Sequence, residues 1–339
     1  MSDVTKRKLR LSMLRIPIMA ASVAVIAYAL VQMNSGSRRS CISGLCRYDV
    51  GDLDKTDPAL IGYTEAAPVE TGLRQPRGVA VGPGDAIYVA GDRLIRVFDK
   101  AGVRRSDVAV DGEPRCLAVD PAGTIYAGLR DRVAVFDRNG VLRATWQSLG
   151  ESALLTSIAL AGDEVIAADA GNRVVLRLDS TGGVINRIGE KDPKRNIEGL
   201  ILPSAHLDVA LAADSLLRVS DPGRHRIELY TLEGDLERSW GEPSMDIRGF
   251  SGCCNPTDFA LLPGGRIATS EKGLARVKVY EDITGQFECV VAGTESFTEG
   301  VEGLDLAVDS AGRILLLDPD AKAVRIFTAK GEGKADGAD

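Results

Sequence analysis

Histidine is nearly absent from these 339 residues: only His206 and His225 occur. Metal centres assembled from several imidazoles are thereby excluded. Aromatic residues make up 5% of the chain against 37 glycines, a balance that points to many tight turns. No glycine-rich phosphate loop, serine nucleophile elbow or general-acid carboxylate pair is present. Neither close cysteine pair is a C-x-x-C followed by His, so a c-type haem is excluded as well. A basic surplus is also missing. The net charge is −7, and the first fifteen residues hold five of the 41 Lys and Arg but only one of the 48 Asp and Glu. The remainder therefore carries about −11, and an acidic body repels phosphate backbones, so nucleic acid is not an expected partner.

Long uncharged apolar runs are missing too, with one exception, Ile16 to Met33. It follows Lys6, Arg7, Lys8, Arg10 and Arg15. Eighteen helical residues reach about 27 Å, enough to cross a hydrocarbon core of roughly 30 Å. This pattern predicts a basic cytoplasmic segment (1–15), a single transmembrane helix (16–33) and an extracytoplasmic remainder, by the positive-inside rule. Ala27-Tyr28-Ala29 also fits a signal-peptide cleavage site, which would leave a secreted or periplasmic protein cut near Ala29. The apolar run continues past that site, which favours the anchor. A linker (34–62) with Cys41 and Cys46 follows, and a glycine- and charge-rich tail (329–339) reads as disordered.

Between linker and tail one sentence of sequence recurs. PRGVAVGPGDAIYVAGDRLIRVFD (Pro76 to Asp99) is matched almost residue for residue by PRCLAVDPAGTIYAGLRDRVAVFD (Pro114 to Asp137). Four more copies begin at Thr156, His206, Asn255 and Glu302. The alanine of the first strand falls at Ala80, Ala118, Ala159, Ala210, Ala260 and Ala307, at spacings of 38, 41, 51, 50 and 47. Such a period marks stacked or radial units, and alternation at period two makes each unit a β-meander. The expected fold is all-β, a six-bladed β-propeller over 63–328. Three strands per unit are visible. Fourth, outer strands are expected at Val141 to Trp146, Val184 to Ile188, Asp235 to Trp240 and Phe287 to Ala292. The last unit has no outer strand after Phe327, so Tyr63 to Leu73 is expected to close the ring and remove its free edges.

The strings DAGNRVVLRLD (Asp169 to Asp179), DPGRHRIELY (Asp221 to Tyr230) and QPRGVAV (Gln75 to Val81) resemble NHL repeats, in which Pro-x-Gly-Val-Ala-Val precedes Asp-x-x-Asn-x-Arg and an aromatic-ended strand. Blades one, two and six depart from the Asp-x-x-Asn-x-Arg turn. The resemblance implies the propeller fold, but such propellers host enzymes, receptors and scaffolds alike. Propeller lyases acting on peptidyl hydroxyglycine use several histidines, which this chain does not have. Gluconolactonase-like propellers hold calcium at the central channel. Asp208, Asp258 and Asp305 recur beside the inner strand of three successive blades, where they could hold a hard cation for a metal-dependent hydrolase or simply line the channel.

Six cysteines remain. Cys116 and Cys289 sit in strand contexts and read as buried apolar residues. Cys41 and Cys46 suit a small disulfide loop outside the membrane, or a metal site shared with the adjacent pair Cys253-Cys254. That pair could close a strained eight-membered ring disulfide of redox character, or bond elsewhere. Asn255, Glu271, Lys272 and Arg276 form a candidate surface site beside it, and as turn residues these charges read best as solvated. The sequence specifies no cofactor. The expected function is a membrane-anchored, non-catalytic interaction scaffold for another envelope protein, coupled to a membrane redox system through Cys253 and Cys254. A calcium-dependent lactonase is the alternative.

Overall fold

The computed structural model describes residues 55–331. The basic segment, the transmembrane helix, Cys41 and Cys46, and the tail beyond residue 331 lie outside the described residues. Among the described residues no helix is long and apolar enough to cross a membrane.

Six antiparallel sheets succeed one another along the described chain, five of them meanders with their strands in sequence order. Blade one runs through Pro76–Gly82, Ala86–Gly91, Leu94–Phe98 and Arg104–Ala109. In blade five the corresponding strands are Asp258–Leu262, Arg266–Glu271, Arg276–Glu281 and Phe287–Ala292. The inner strand of every blade carries one of the recurrent alanines. All six alanines line a central channel of about 370 Å³, where a larger side chain would crowd the axis. The sixth sheet takes its outer edge from the start of the described chain. Tyr63–Glu65 and Val69–Glu70 pair antiparallel with Ala323–Ala329, Tyr63 opposite Ala329 and Val69 opposite Val324.

The core is divided among the blade interfaces. One buried cluster joins Ile166 and Val175 of blade three to Leu217, Val219 and Tyr230 of blade four. Another joins Leu315, Leu317 and Val324 of blade six to Val79, Ile87 and Phe98 of blade one, so the last blade packs on the first as any blade packs on the next. Each large side chain buried in this way contributes about 1.5–3 kcal/mol. Ring closure therefore rests on apolar packing as well as on the shared sixth sheet.

Tryptophans at the ends of two outer regions seat on glycines of the following blade. Gly182 and Gly285 have φ of +88° and +71°, and a Cβ on them would fall 2.5 Å from the Trp146 ring and 2.4 Å from the Trp240 ring. Gly285→Ala is therefore expected to destabilise the protein by about 1–3 kcal/mol, the cost of overpacking added to a left-handed backbone. A urea midpoint unchanged by the substitution would show that Trp240 can swing aside.

Candidate functional site

The inner strands open at one end of the channel with six equivalent residues: Gly78, Cys116, Ser157, Asp208, Asp258 and Asp305. The sequence thus divides the ring into a small, neutral half and an acidic half. An inner strand is a sheet edge, and its outward N–H groups need acceptors. The three aspartates provide them across the blade boundaries. Asp208 accepts from Phe259 N at 2.8 Å, Asp258 from Leu306 N at 2.8 Å and Asp305 from Val79 N at 2.5 Å. Ser157 performs the same service for Val209 N at 3.4 Å. Blade one needs glycine here instead, since a Cβ on Gly78 would lie 2.9 Å from Arg115 O.

The acidic half is electrostatically loaded. Burial pushes Asp208 up to about 7 and Asp305 up to about 6, and burial together with the Asp208 and Asp305 charges holds Asp258 well above the ordinary carboxylate value. Burial likewise raises the thiol of Cys116, which is free and 5% exposed. The sequence placed Asp208, Asp258 and Asp305 together as candidate cation ligands, and the structure does bring them to one ring. What it gives each carboxylate is a backbone N–H of the next blade. Among the described residues no group of three or more His, Cys, Asp or Glu side chains is arranged to hold a metal ion.

A second constellation sits at the rim, in the loop leading into blade five. Cys253 is exposed, Cys254 is buried, both are free, and their Sγ atoms lie 3.2 Å apart. Asn255 fastens this loop to the turn after the second strand. Its Nδ2 donates to Ser251 O at 2.6 Å and Lys272 O at 3.0 Å, and its Oδ1 accepts from Lys272 N at 2.9 Å. Lys272 is thereby set beside the dithiol, with its Nζ 4.0 Å from Glu302. Burial alone would raise the Cys254 thiol. The Ser204 hydroxyl, the Cys253 thiol and the Lys272 ammonium outweigh burial and hold it below its ordinary value. Ser204 Oγ makes no hydrogen bond of conventional geometry, so its share is a weak polar contact with the sulfur. Cys253 moves the other way, raised by its hydrogen bond with Cys254 and by partial burial.

Beneath the loop lies a charged cluster that corrects the sequence reading. Asn255, Glu271 and Arg276 are not a surface site, nor are Glu271 and Arg276 solvated turn charges: they are 1%, 1% and 2% exposed. Only Lys272 of the four keeps partial access to solvent. Glu271 contacts Lys278 Nζ at 2.6 Å and Arg276 at 3.0 Å, and accepts from Ser251 N at 2.8 Å and Ser251 Oγ at 2.9 Å. Lys278, fully buried, also donates to Ile247 O at 3.1 Å and Gly249 O at 2.6 Å and lies over the Phe250 ring. The cluster thus grips the segment from Ile247 to Ser251 that ends at the two cysteines.

Lys278 was missed because alternation alone does not say which face of a third strand is covered. A signal existed. Two residues before Phe98 and its counterparts Phe136, Leu178, Tyr230, Tyr280 and Phe327, blades one, four, five and six carry Arg96, Glu228, Lys278 and Arg325, while blades two and three carry Ala134 and Leu176. Arg77, Arg115 and Ser204 were also passed over, each being an unremarkable residue in a loop or at a strand start. His206 lines the channel mouth with Glu302, and burial lowers its imidazole to about 4, so it is neutral at pH 7.

These features define a six-bladed β-propeller with a dithiol at the rim of its channel. Among solved structures the chain is similar to a structural genomics protein of unknown function from Bacteroides thetaiotaomicron, with a TM-score of 0.57, 15% identity, and 80% of this chain and 73% of that one covered. It is similar also to a streptogramin B lyase, with a TM-score of 0.54 at 11% identity over 80% of this chain and all of the other. The WD40 propeller of Doa1 aligns at a TM-score of 0.55 and 14% identity, over 80% and 98% of the two chains. Such likenesses describe the fold alone. No protein-family model matches the sequence, and no curated protein matches it.

Proposed function

We propose that the chain is a membrane-tethered, extracytoplasmic propeller of the NHL-repeat kind, a non-catalytic scaffold for another envelope protein, and that the end of the ring bearing Cys253 and Cys254 is its thiol-responsive face. The observation that carries this reading is the construction of the dithiol loop. Asn255 and Glu271 hold it in one position, and Lys272 and Ser204 favour the thiolate of Cys254 over that of its neighbour. A cysteine pair needed only for packing requires none of this.

The chemistry is thiol–disulfide exchange with a partner disulfide. Cys254 Sγ, ionised and 3.2 Å away, takes the proton of accessible Cys253 as Cys253 Sγ attacks one sulfur of that disulfide, and the released partner sulfur takes up the proton that Cys254 had given to solvent. Cys254, the more acidic thiol, then attacks Cys253 Sγ in the mixed disulfide, and the second partner sulfur leaves as a thiol. Two electrons and two protons pass to the partner, and the pair becomes an adjacent-residue disulfide. The strain of that small ring keeps it easily reduced.

The test is peptide-level mass spectrometry of the full-length protein from membranes, thiol-trapped before and after reduction and after exposure to oxidised glutathione. Expected is a disulfide confined to Cys253 and Cys254 that forms and reverses, with Cys116 untouched in the native protein. Equal labelling of Cys253, Cys254, Cys116 and Cys289, unchanged by reduction, would remove the basis of the proposal. Metal analysis of the same sample decides whether Cys41 and Cys46 join the pair around a metal ion.

A further inference from the structure

Across the channel mouth from the dithiol, blades one and two present Arg77 and Arg115, the residues just before Gly78 and Cys116. The corresponding residues of the other blades are Thr156, Leu207, Thr257 and Leu304, so the two guanidinium groups stand side by side on one arc of the ring. Both line a cavity of about 240 Å³ at the mouth, together with His206, Thr156 and Thr257 and the acidic residues Asp258, Glu302 and Asp305. Asp258 and Asp305 already accept backbone N–H groups of the next blade, and neither arginine forms an ion pair among the described residues. Arg77 donates to the neutral Gln75 Oε1 at 3.2 Å, and its Nε is buried without a partner. The Nε of Arg115 is likewise buried and unpartnered.

The charged groups that shift Arg115 are Arg77 and Arg130, both cationic, and the neighbouring Cys116 thiol is held un-ionised by burial. Burial and these two like charges lower its pKa, so the positive charge is held there against its own electrostatics. Elsewhere in the protein part-buried arginines are matched. Arg96 has Asp107, Arg177 has Glu164, Arg224 has Asp221 and Arg325 has Glu65. An unpaired, partly desolvated pair of forked donors is costly in the empty protein and suited to a planar or tetrahedral anion. The threonine hydroxyls of the cavity are already engaged, Thr156 with Leu207 O at 2.6 Å and Thr257 with Ser270. The neutral imidazole of His206 adds a further N–H donor on the opposite wall.

We infer that the channel mouth is a binding site for the carboxylate or phosphate group of a small anionic molecule, taken by Arg77 and Arg115 and bounded by His206. The acidic body of the protein makes nonspecific anion attraction weak, so the two arginines act as a local address rather than as part of a basic surface. This site does not depend on the dithiol, and either can fail without the other.

The experiment is calorimetric titration of the full-length protein in detergent micelles with succinate and with inorganic phosphate at physiological ionic strength. Saturable one-to-one binding of at least one anion is expected. Arg115→Gln should weaken it at least about tenfold, the loss of one charge-assisted contact. Arg93→Ala, in an exposed ion pair with Asp111 outside the cavity, should leave it unchanged. Succinate binding without phosphate binding assigns the site to carboxylates, and the reverse assigns it to phosphates. Absence of saturable binding of either anion to the wild-type protein overturns the inference without recourse to any variant. Undiminished affinity in the Arg77→Gln/Arg115→Gln double variant, with an unchanged melting curve, overturns it equally.

Discussion

Glu271→Ala is expected to lower the free energy of unfolding by about 3–5 kcal/mol, the range found when one partner of a buried ion pair is removed. The carboxylate is the anionic partner of both Arg276 and Lys278, which are 2% and 0% exposed, so its loss leaves two cations in a dry site. Ser251 loses both acceptors of its N–H and hydroxyl at the same time. Urea unfolding of wild type and variant measures the effect. A change under about 1 kcal/mol would mean that water reaches the cluster and that burial does not set its energetics. Lys278→Met in the Glu271→Ala background should recover part of the loss, because an apolar side chain of similar length carries no charge to strand.

The pH dependence of this cluster has a definite sign. Burial opposes ionisation of Glu271, but Lys278 and Arg276 outweigh it and hold the carboxyl below its ordinary 4.5. Its stabilisation is therefore present above pH 4.5 and is lost as the pH falls through the lower, folded-state value. The same variant should also speed alkylation of Cys253 and Cys254, since the Ile247–Ser251 segment is held by Lys278 and Glu271. Faster thiol trapping together with lower stability would tie the buried charges to the rim site. Lower stability alone would confine them to the fold.

The channel aspartates should behave in the opposite sense. Folded-state values raised above 3.8 mean that the native protein holds more protons than the unfolded chain from about pH 4 to pH 7. Stability contributed by these groups is complete below pH 4 and declines as the pH rises through that window. Asp258→Asn keeps an oxygen for Leu306 N–H and removes the charge. It is expected to stabilise the protein at pH 8 by about 1–2 kcal/mol, to matter little near pH 4, and to flatten the slope between. Asp258→Ala, which strands that N–H, should instead destabilise by about 1–3 kcal/mol. Chemical unfolding across this pH range separates the outcomes. Destabilisation by Asp258→Asn at pH 8, together with stabilisation of the wild type by added calcium, would assign the three carboxylates to a cation after all.

Much of the architecture was legible because a propeller blade is local. Its strands are consecutive, its turns short, and its alternation complete within about forty residues, so each repeat announces itself without reference to the others. Even the source of the sixth blade's outer strand followed from composition, since Gly331 to Asp339 is too polar and glycine-rich to pair and Tyr63 to Leu73 is not. The site was legible in part. Adjacent cysteines and the recurring aspartates stand out in one dimension, and both proved to lie around one channel mouth.

What the sequence determined by itself is therefore the number of blades, their order and the residues that face the axis, all properties of period and composition. Burial of Glu271, Arg276 and Lys278 was decided only in three dimensions, because charges on two neighbouring strands become core charges when the loop of another segment folds over them. The hydrogen-bond partners of Asp208, Asp258 and Asp305 were decided there too. Each of their acceptor bonds crosses about fifty residues of sequence or closes the ring from Asp305 to Val79, and no local pattern states which edge N–H will stand opposite a carboxylate.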